Sequence, residues 1–190
     1  MDLATPDAAY LDSYIHALEA GWSPDNMRPD AGRSELASIA ADSEAFLLAQ
    51  TDRKGLGAPI VLPDGSTAVR VPGYRQWMWD GEFCGAISFR WQPGTTALPP
   101  YCLGHIGFSV VPWKRRRGYA SRALALVLPR ARRDGLEFVE LTTSVSNIGS
   151  QRTIEANGGR IVERFRLPAA YGDIEDFRYR IYFDRNGLEP

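Results

Sequence analysis

The stretch "VVPWKRRRGYASRALALV", residues 110 to 127, decides how the chain is to be read. A β-rich run stops at Pro112, four cations follow from Lys114 to Arg117, and an apolar stretch opens at Gly118. A strand, a short basic turn and a helix N-terminus are the simplest structure for this order. The first four N–H groups of a helix lack partners inside it. The helix dipole adds about half a positive charge at the same end, so such a place suits phosphate. Gly118 lets the backbone come close to an anion with no Cβ in the way, and Ala120 keeps the next turn small. Arg115, Arg116 and Arg117 add fork-shaped donors. A solvated basic turn is the plainer alternative.

Nucleic acid is a poor match for the same cations. The chain has 190 residues, with 22 Lys plus Arg against 23 Asp plus Glu and a formal charge of -1. A protein that wraps a nucleic-acid backbone usually carries a basic excess, and a localisation signal needs an accessible, flexible tract. Apolar residues make up 44%, enough for a substantial core. Cys84 and Cys102 lie in apolar stretches without metal-ligand spacing and read as reduced core residues. The first residues carry no basic-then-apolar signal pattern, and no apolar run approaches the length that spans a membrane. The expectation is a cytoplasmic protein that engages neither membrane nor nucleic acid, as a monomer or homodimer.

Outward from the decisive stretch, residues 5 to 20 read as a helix capped by Thr5, with Pro6 in its first turn. Residues 33 to 50 read as one or two short helices, with Ser43 a second cap. Residues 51 to 73 are dense in Gly and Pro and read as a long loop with a short strand in it. "YRQWMWDGEFCGAISFRW" reads as two strands joined by a two-residue turn at Asp80-Gly81. "CLGHIGFSVVP" is a strand, residues 117 to 133 a helix bent at Pro129, and "EFVELTTSV" a buried-type strand. "NIGSQRTIEANGG" is a short helix that Gly158 can end, and "RIVERFRLP" and "FRYRIYFD" are two last strands. After residue 74 the order is therefore β-β-β-α-β-α-β-β.

"RRRGYA", residues 115 to 120, matches the R/Q-x-x-G-x-G/A signature of the GNAT acetyltransferase superfamily, and "NIGSQRTIEANGG" is similar to that family's second motif, N-x-x-S-x-x-x-x-E-x-x-G. The resemblance covers about residues 74 to 184. It implies an α/β GNAT fold: a mixed, mostly antiparallel central sheet, a V-shaped splay between two parallel strands, and helices on both faces. All 190 residues would form a single domain, with a helical N-terminal part and loop to residue 73 and the sheet with its cofactor motifs from 74 to 184. The implied co-substrate is acetyl-CoA. By the same resemblance, Phe108, Ser109, Val110 and Val111 would pair with the pantetheine arm, and an N–H near Val110 or Val111 would hold the thioester oxygen. Arg115, Arg116, Arg117, Gly118, Tyr119, Ala120 and Ser121 would surround the pyrophosphate. Asn147 would bond to the pantetheine arm, with Ser150 on the same face.

The implied activity is acetyl transfer to a primary amine of a small molecule or peptide by direct attack in a ternary complex. The alternative is a catalytically weak CoA-binding sensor or partner module. Family departures motivate that alternative: the positions at which relatives carry a catalytic Glu and Tyr are Thr142 and Ile154. His105, five residues before Val110, should face away from the cleft by strand alternation, and Glu82 belongs to a surface turn. The catalytic residues stay unassigned. Tyr74, Trp77 and Trp79 alternate with polar residues, so one face of that strand reads as aromatic, as core packing or as a wall of the acceptor pocket. The acidic run Asp173, Glu175 and Asp176 would favour a cationic acceptor if it borders the cleft.

Overall fold

The computed structural model describes residues 1–25, 28, 30–62, 65–167 and 172–183. Residues 168–171, just before the acidic run, and residue 184, the expected end of the sheet, lie outside them. In chain order the elements are β1 (Asp2–Ala4), α1 (Ala8–Glu19), α2 (Ala31–Ala41), α3 (Ser43–Ala49), β2 (Thr51–Asp52), β3 (Ile60–Val61), β4 (Thr67–Ala68), β5 (Gly73–Trp79), β6 (Phe83–Arg90), β7 (Ile106–Val110), α4 (Tyr119–Arg133), β8 (Phe138–Ser144), α5 (Ile148–Glu155), β9 (Arg160–Arg166) and β10 (Glu175–Tyr182). A single 3-10 turn, Pro112–Lys114, sits between β7 and α4.

The expected order after residue 74 holds. The local details differ where a neighbouring side chain supplied a better cap. Asp7, not Thr5, caps α1 by accepting from the Ala9 N–H at 2.9 Å, and Asp42, not Ser43, caps α3 by accepting from Ala45 at 2.9 Å. The Asp80-Gly81 turn is a three-residue connection, because Trp79 pairs with Phe83 after a register shift at Met78. Only Gly81 there has a positive φ, +107°. Pro129 lies inside α4, which runs on to Arg133. Its ring faces solvent, as does Ala125, whose carbonyl loses its usual donor.

The strands form two hydrogen-bonded groups, β1-β5-β6-β7 with β2 against β5, and β8-β10-β9, besides the small β3-β4 pair. The ladders are antiparallel. Helix α4 carries the chain from β7 to β8, the crossover that sets two strands parallel. Helices cover both faces. Leu124, Val127 and Ile154 from α4 and α5 bury one face with Ile87, Leu141 and Tyr179. Tyr14, Leu18, Ile39 and Phe46 from α1 to α3 bury the other with Trp77, Phe83 and Val111. Tyr74 and Trp77 enter different clusters. They are three residues apart on an alternating strand, so Tyr74, Trp77 and Trp79 do not make one aromatic face. Cys84 and Cys102 are buried free thiols, as expected. Among the described residues no helix is long and apolar enough to cross a membrane.

Candidate active site

β7 and β8 share no ladder. They are tied at their starts, where the His105 N–H donates to Glu140 O at 2.8 Å. The His105 ring completes the tie. The Glu140 N–H donates to its Nδ1 at 2.9 Å, and its Nε2 meets Thr96 O at 3.1 Å. That pattern assigns the neutral Nε2–H tautomer. Burial lowers the imidazole to about 4, against opposing pulls from Glu140 and the Thr96 carbonyl. His105 is a latch where β7 and β8 meet.

Beyond the latch no backbone hydrogen bond joins β7 to β8 among the described residues. The Arg90 N–H donates to His105 O and the Val111 N–H to Cys84 O at 2.9 and 3.0 Å, with Ala86 opposite Ser109 between them. Antiparallel pairs alternate, so His105 directs its carbonyl, and Gly107, Ser109 and Val111 their backbone groups, at β6. Ile106, Phe108 and Val110 direct theirs into the gap. Of the two candidate donors at the end of β7, Val111 is thus committed to Cys84 and Val110 faces the gap. Its carbonyl accepts from Arg115 Nε at 3.2 Å. Gly85 makes the close approach beneath it: φ is +150°, and a Cβ there would lie 2.3 Å from Ser109 O. The Ser109 side chain points to the α1 side and accepts from the Trp22 indole at 3.0 Å, a contact across 87 residues that no local pattern could reveal.

The turn before α4 is left-handed at two positions. Arg116 and Gly118 both have left-handed φ, +63° and +75°, and alternation of this kind aims successive N–H groups at one point. A Cβ on Gly118 would meet nothing within 4 Å. The demand for glycine is therefore one of dihedral angle, not of packing. Gly118 is the N-cap without a side-chain cap, so the Tyr119, Ala120 and Ser121 N–H groups begin a helix with no capping acceptor. Arg115, Arg116 and Arg117 are exposed around them. The Ser121 hydroxyl accepts from Asn157 at 3.0 Å and ties α4 to the end of α5.

Lys114 does not join this frame. It is buried and turns into the β5–β6 hairpin, donating to Asp80 at 3.0 and 3.1 Å and pairing with Glu82 at 2.6 Å. Tyr119 donates to the same Asp80 at 2.5 Å. Hydrogen bonds from Tyr119 and Lys114 hold the Asp80 carboxyl well below its usual range despite partial desolvation. Glu82 stays in its turn, as expected, but with a structural partner. Burial, then Asp80, pushes the neighbouring Cys84 thiol up to about 12, which makes it inert.

The second motif sits at the far lip. Asn147 is the N-cap of α5, its Oδ1 accepting from the Ser150 N–H at 3.1 Å. Its amide NH2 has no partner among the described residues. Ser150 is half-buried in the first turn. Glu155 accepts from the buried Tyr179 hydroxyl at 3.0 Å. Thr142 lies opposite Arg178, and Ile154 is sealed in the core. No carboxylate or phenol comes from either place.

The model of the acetyltransferase (GNAT) family matches residues 61–158. The fold is similar to that of the microcin C7 self-immunity acetyltransferase MccE in complex with acetyl-CoA and AMP, at TM-score 0.62 and 10% identity over 95% of this chain and 91% of that one. It is similar to RimL, a ribosomal L7/L12 α-N-protein acetyltransferase, at TM-score 0.59 and 14% identity over 95% and 89%. It is also similar to yncA of Salmonella typhimurium, a putative acetyltransferase with its cofactor acetyl-CoA, at TM-score 0.53 and 16% identity over 100% and 97%. Another solved acetyltransferase is matched over only 62% of its own length. No curated protein shows significant sequence similarity to the chain. The family's co-substrate is acetyl-CoA, and the match to its model covers half of the sequence: the chain belongs to the GNAT acetyltransferase family.

Proposed function

We propose that this protein is an acetyl-CoA-dependent N-acetyltransferase that acts on a primary amine of a small molecule or peptide. The observation that carries the reading is the junction of two features: the gap-facing edge of β7 and the left-handed turn that starts α4. Phe108, Ser109, Val110 and Val111 form the strand beside which the pantetheine arm lies, and the Val110 N–H takes the thioester oxygen. The N–H groups from Arg116 to Ser121 take the pyrophosphate, with the Arg115, Arg116 and Arg117 guanidinium groups around it. Asn147 offers its amide NH2 to the arm, beside Ser150.

Transfer needs the acceptor nitrogen unprotonated, and an alkyl amine with a pKa near 10 is mostly ammonium at neutral pH. Once the ammonium proton has gone to solvent, the amine nitrogen attacks the thioester carbonyl carbon, the C–S bond breaks, and the second proton lost from the nitrogen goes to the departing thiolate. The Val110 N–H, fixed before the reaction, stabilises the charge that grows on the carbonyl oxygen. The thiolate is a fair leaving group, with a thiol pKa of about 8.5, so the loss of the family Tyr at Ile154 is tolerable. A second reading, a CoA-binding module with little catalysis, is favoured by Thr142 standing where relatives carry a Glu.

Acetyl-CoA at 100 times its dissociation constant should stabilise the wild type by about 2.7 kcal/mol and leave Gly118→Glu unmoved in a thermal-shift titration. A folded wild type that ignores millimolar acetyl-CoA would sink the proposal. A shift without CoA release in the presence of any amine in a broad panel would select the second reading.

A further inference from the structure

The acidic run before β10 does not act as a unit. Asp173 bonds Arg166 at 3.3 Å. Glu175 meets Arg164 at 2.7 Å and Arg166 at 3.8 Å. Both are exposed surface pairs of small energetic weight. Asp176 differs. It is only 5% exposed, and its side chain has no hydrogen bond or ion pair among the described residues. Burial alone raises its carboxyl above the usual range, with no partner pulling it back. Among the described residues, the fully enclosed side-chain atoms that lack partners are Tyr74 Oη and Trp77 Nε1. The Asp176 oxygens are not among them, so they keep an edge open to solvent.

Strand register places this carboxyl. Asp176 lies opposite Ser144 on β8 and Phe165 on β9. Directly opposed residues share a face. Val139, Leu141, Tyr179 and Ile181, at the alternate positions, are packed under α4 and α5. Asp176, Ser144 and Thr142 therefore face the other way, toward the side on which Trp22 of the α1–α2 connection reaches Ser109. Height agrees too. Ser144 is four residues beyond Glu140 and Val110 is five beyond His105, so both sit about 13–16 Å above the latch. Asp176 is at the level of Val110, one strand beyond β8.

The neighbouring charges are already spent. Arg178, two residues along the same face, bonds Glu163 at 2.8 Å and Glu140 at 3.3 Å. β8 presents the Ser144 hydroxyl and β9 the Phe165 ring. A buried carboxylate without a partner is costly, and such a cost persists where a bound molecule offsets it.

We infer that Asp176 is the specificity-determining residue for the acceptor: its carboxylate holds a positive charge on the acceptor, distinct from the nitrogen that is acetylated. The acceptor is then a cation with at least two amino or guanidino groups, of the polyamine or basic-peptide kind. The attacking nitrogen sits at Val110, and the second charge reaches across the β8 lip to Asp176.

This inference rests on the acetyltransferase reading, and the test separates the two. Two probe series are made from CoA, its sulfur joined through –CH2–C(=O)–NH– to a straight alkyl tail. The tails end in an amino group or in a hydroxyl, over a range of lengths. Calorimetry is done on the whole chain. The wild type should bind the amino tail of optimal length at least about ten-fold tighter than its hydroxyl partner. Asp176→Asn should bind the two alike and acetyl-CoA as before, and Asp176→Glu should keep part of the preference. Asp176→Asn removes a buried charge, so its melting temperature should not fall. Equal binding of amino and hydroxyl tails by the wild type at every length overturns the inference while the broader reading stands. So does a preference that survives in Asp176→Asn. If neither the probes nor acetyl-CoA bind, the broader reading has failed and this one falls with it.

Discussion

His105 shows what one side chain contributes when it is buried neutral. Its folded-state value is about 4, against 6.5 unperturbed. The unfolded chain therefore binds the proton first as pH falls, and stability present above pH 6.5 is lost between 6.5 and about 4. The whole effect is about 3 kcal/mol at most. His105→Gln can still accept from Glu140 and donate to Thr96, and it does not titrate. Urea unfolding at pH 7.5 and pH 5 should show a loss in the wild type that is much smaller in the variant. Equal losses would mean that His105 is not the titrating latch. The chemistry of this residue was only half legible beforehand. Alternation sets only which face of β7 the ring takes, and its partners, Thr96 and Glu140, come from a loop and a strand that only folding brings together. Gly118 was legible because its neighbours in sequence are also its neighbours in space. Asp176 was not: its isolation depends on Arg164 and Arg166 on β9 taking up the two other acids, which composition could not reveal.

At the scale of elements, the hairpin β5–β6 and the turn before α4 are held together by Lys114. Its ammonium pairs with Asp80 and Glu82 at 3.0 and 2.6 Å, and Tyr119 in the first turn of α4 shares Asp80. The four cations look alike in sequence, and only the 3-10 turn at Pro112–Lys114 separates them: it buries the first and leaves three outside. Removing one partner of a buried pair typically costs 3–5 kcal/mol, because the other charge stays behind. Lys114→Met should accordingly destabilise the fold by about 3 kcal/mol. Lys114→Met with Asp80→Asn should cost less than the sum of the two single changes by more than about 1 kcal/mol. Additive losses in denaturant titrations would show that the pair is not a coupled clamp. Elements with strong periodic or turn signals, such as α4 and the strands from β5 on, were legible. β1 was missed because three residues with no turn signal become a strand only when β5 offers its edge.

Over the whole molecule, two hydrogen-bonded groups of strands meet along a seam with few bonds. The backbone link from His105 to Glu140 stands at one end, the Asn157 to Ser121 bond ties α5 to α4 above it, and the apolar cluster under α4 spans both groups. Opening along such a seam takes less free energy than global unfolding, as sub-global openings do. A ligand that lies along β7, binds the start of α4 and touches Asn147 spans both sides, and it can only stabilise the states in which both sides are in place. Native-state hydrogen exchange without ligand should therefore resolve two sets of amides, one in β5 to β7 and one in β8 to β10, with different opening energies. Saturating acetyl-CoA should raise the weaker set until the two exchange together, and should slow the Val110 amide most within β7. Protection confined to the first turn of α4 would mean that the ligand holds the phosphate turn alone and does not close the seam. The Val110 N–H would then lose its role at the thioester.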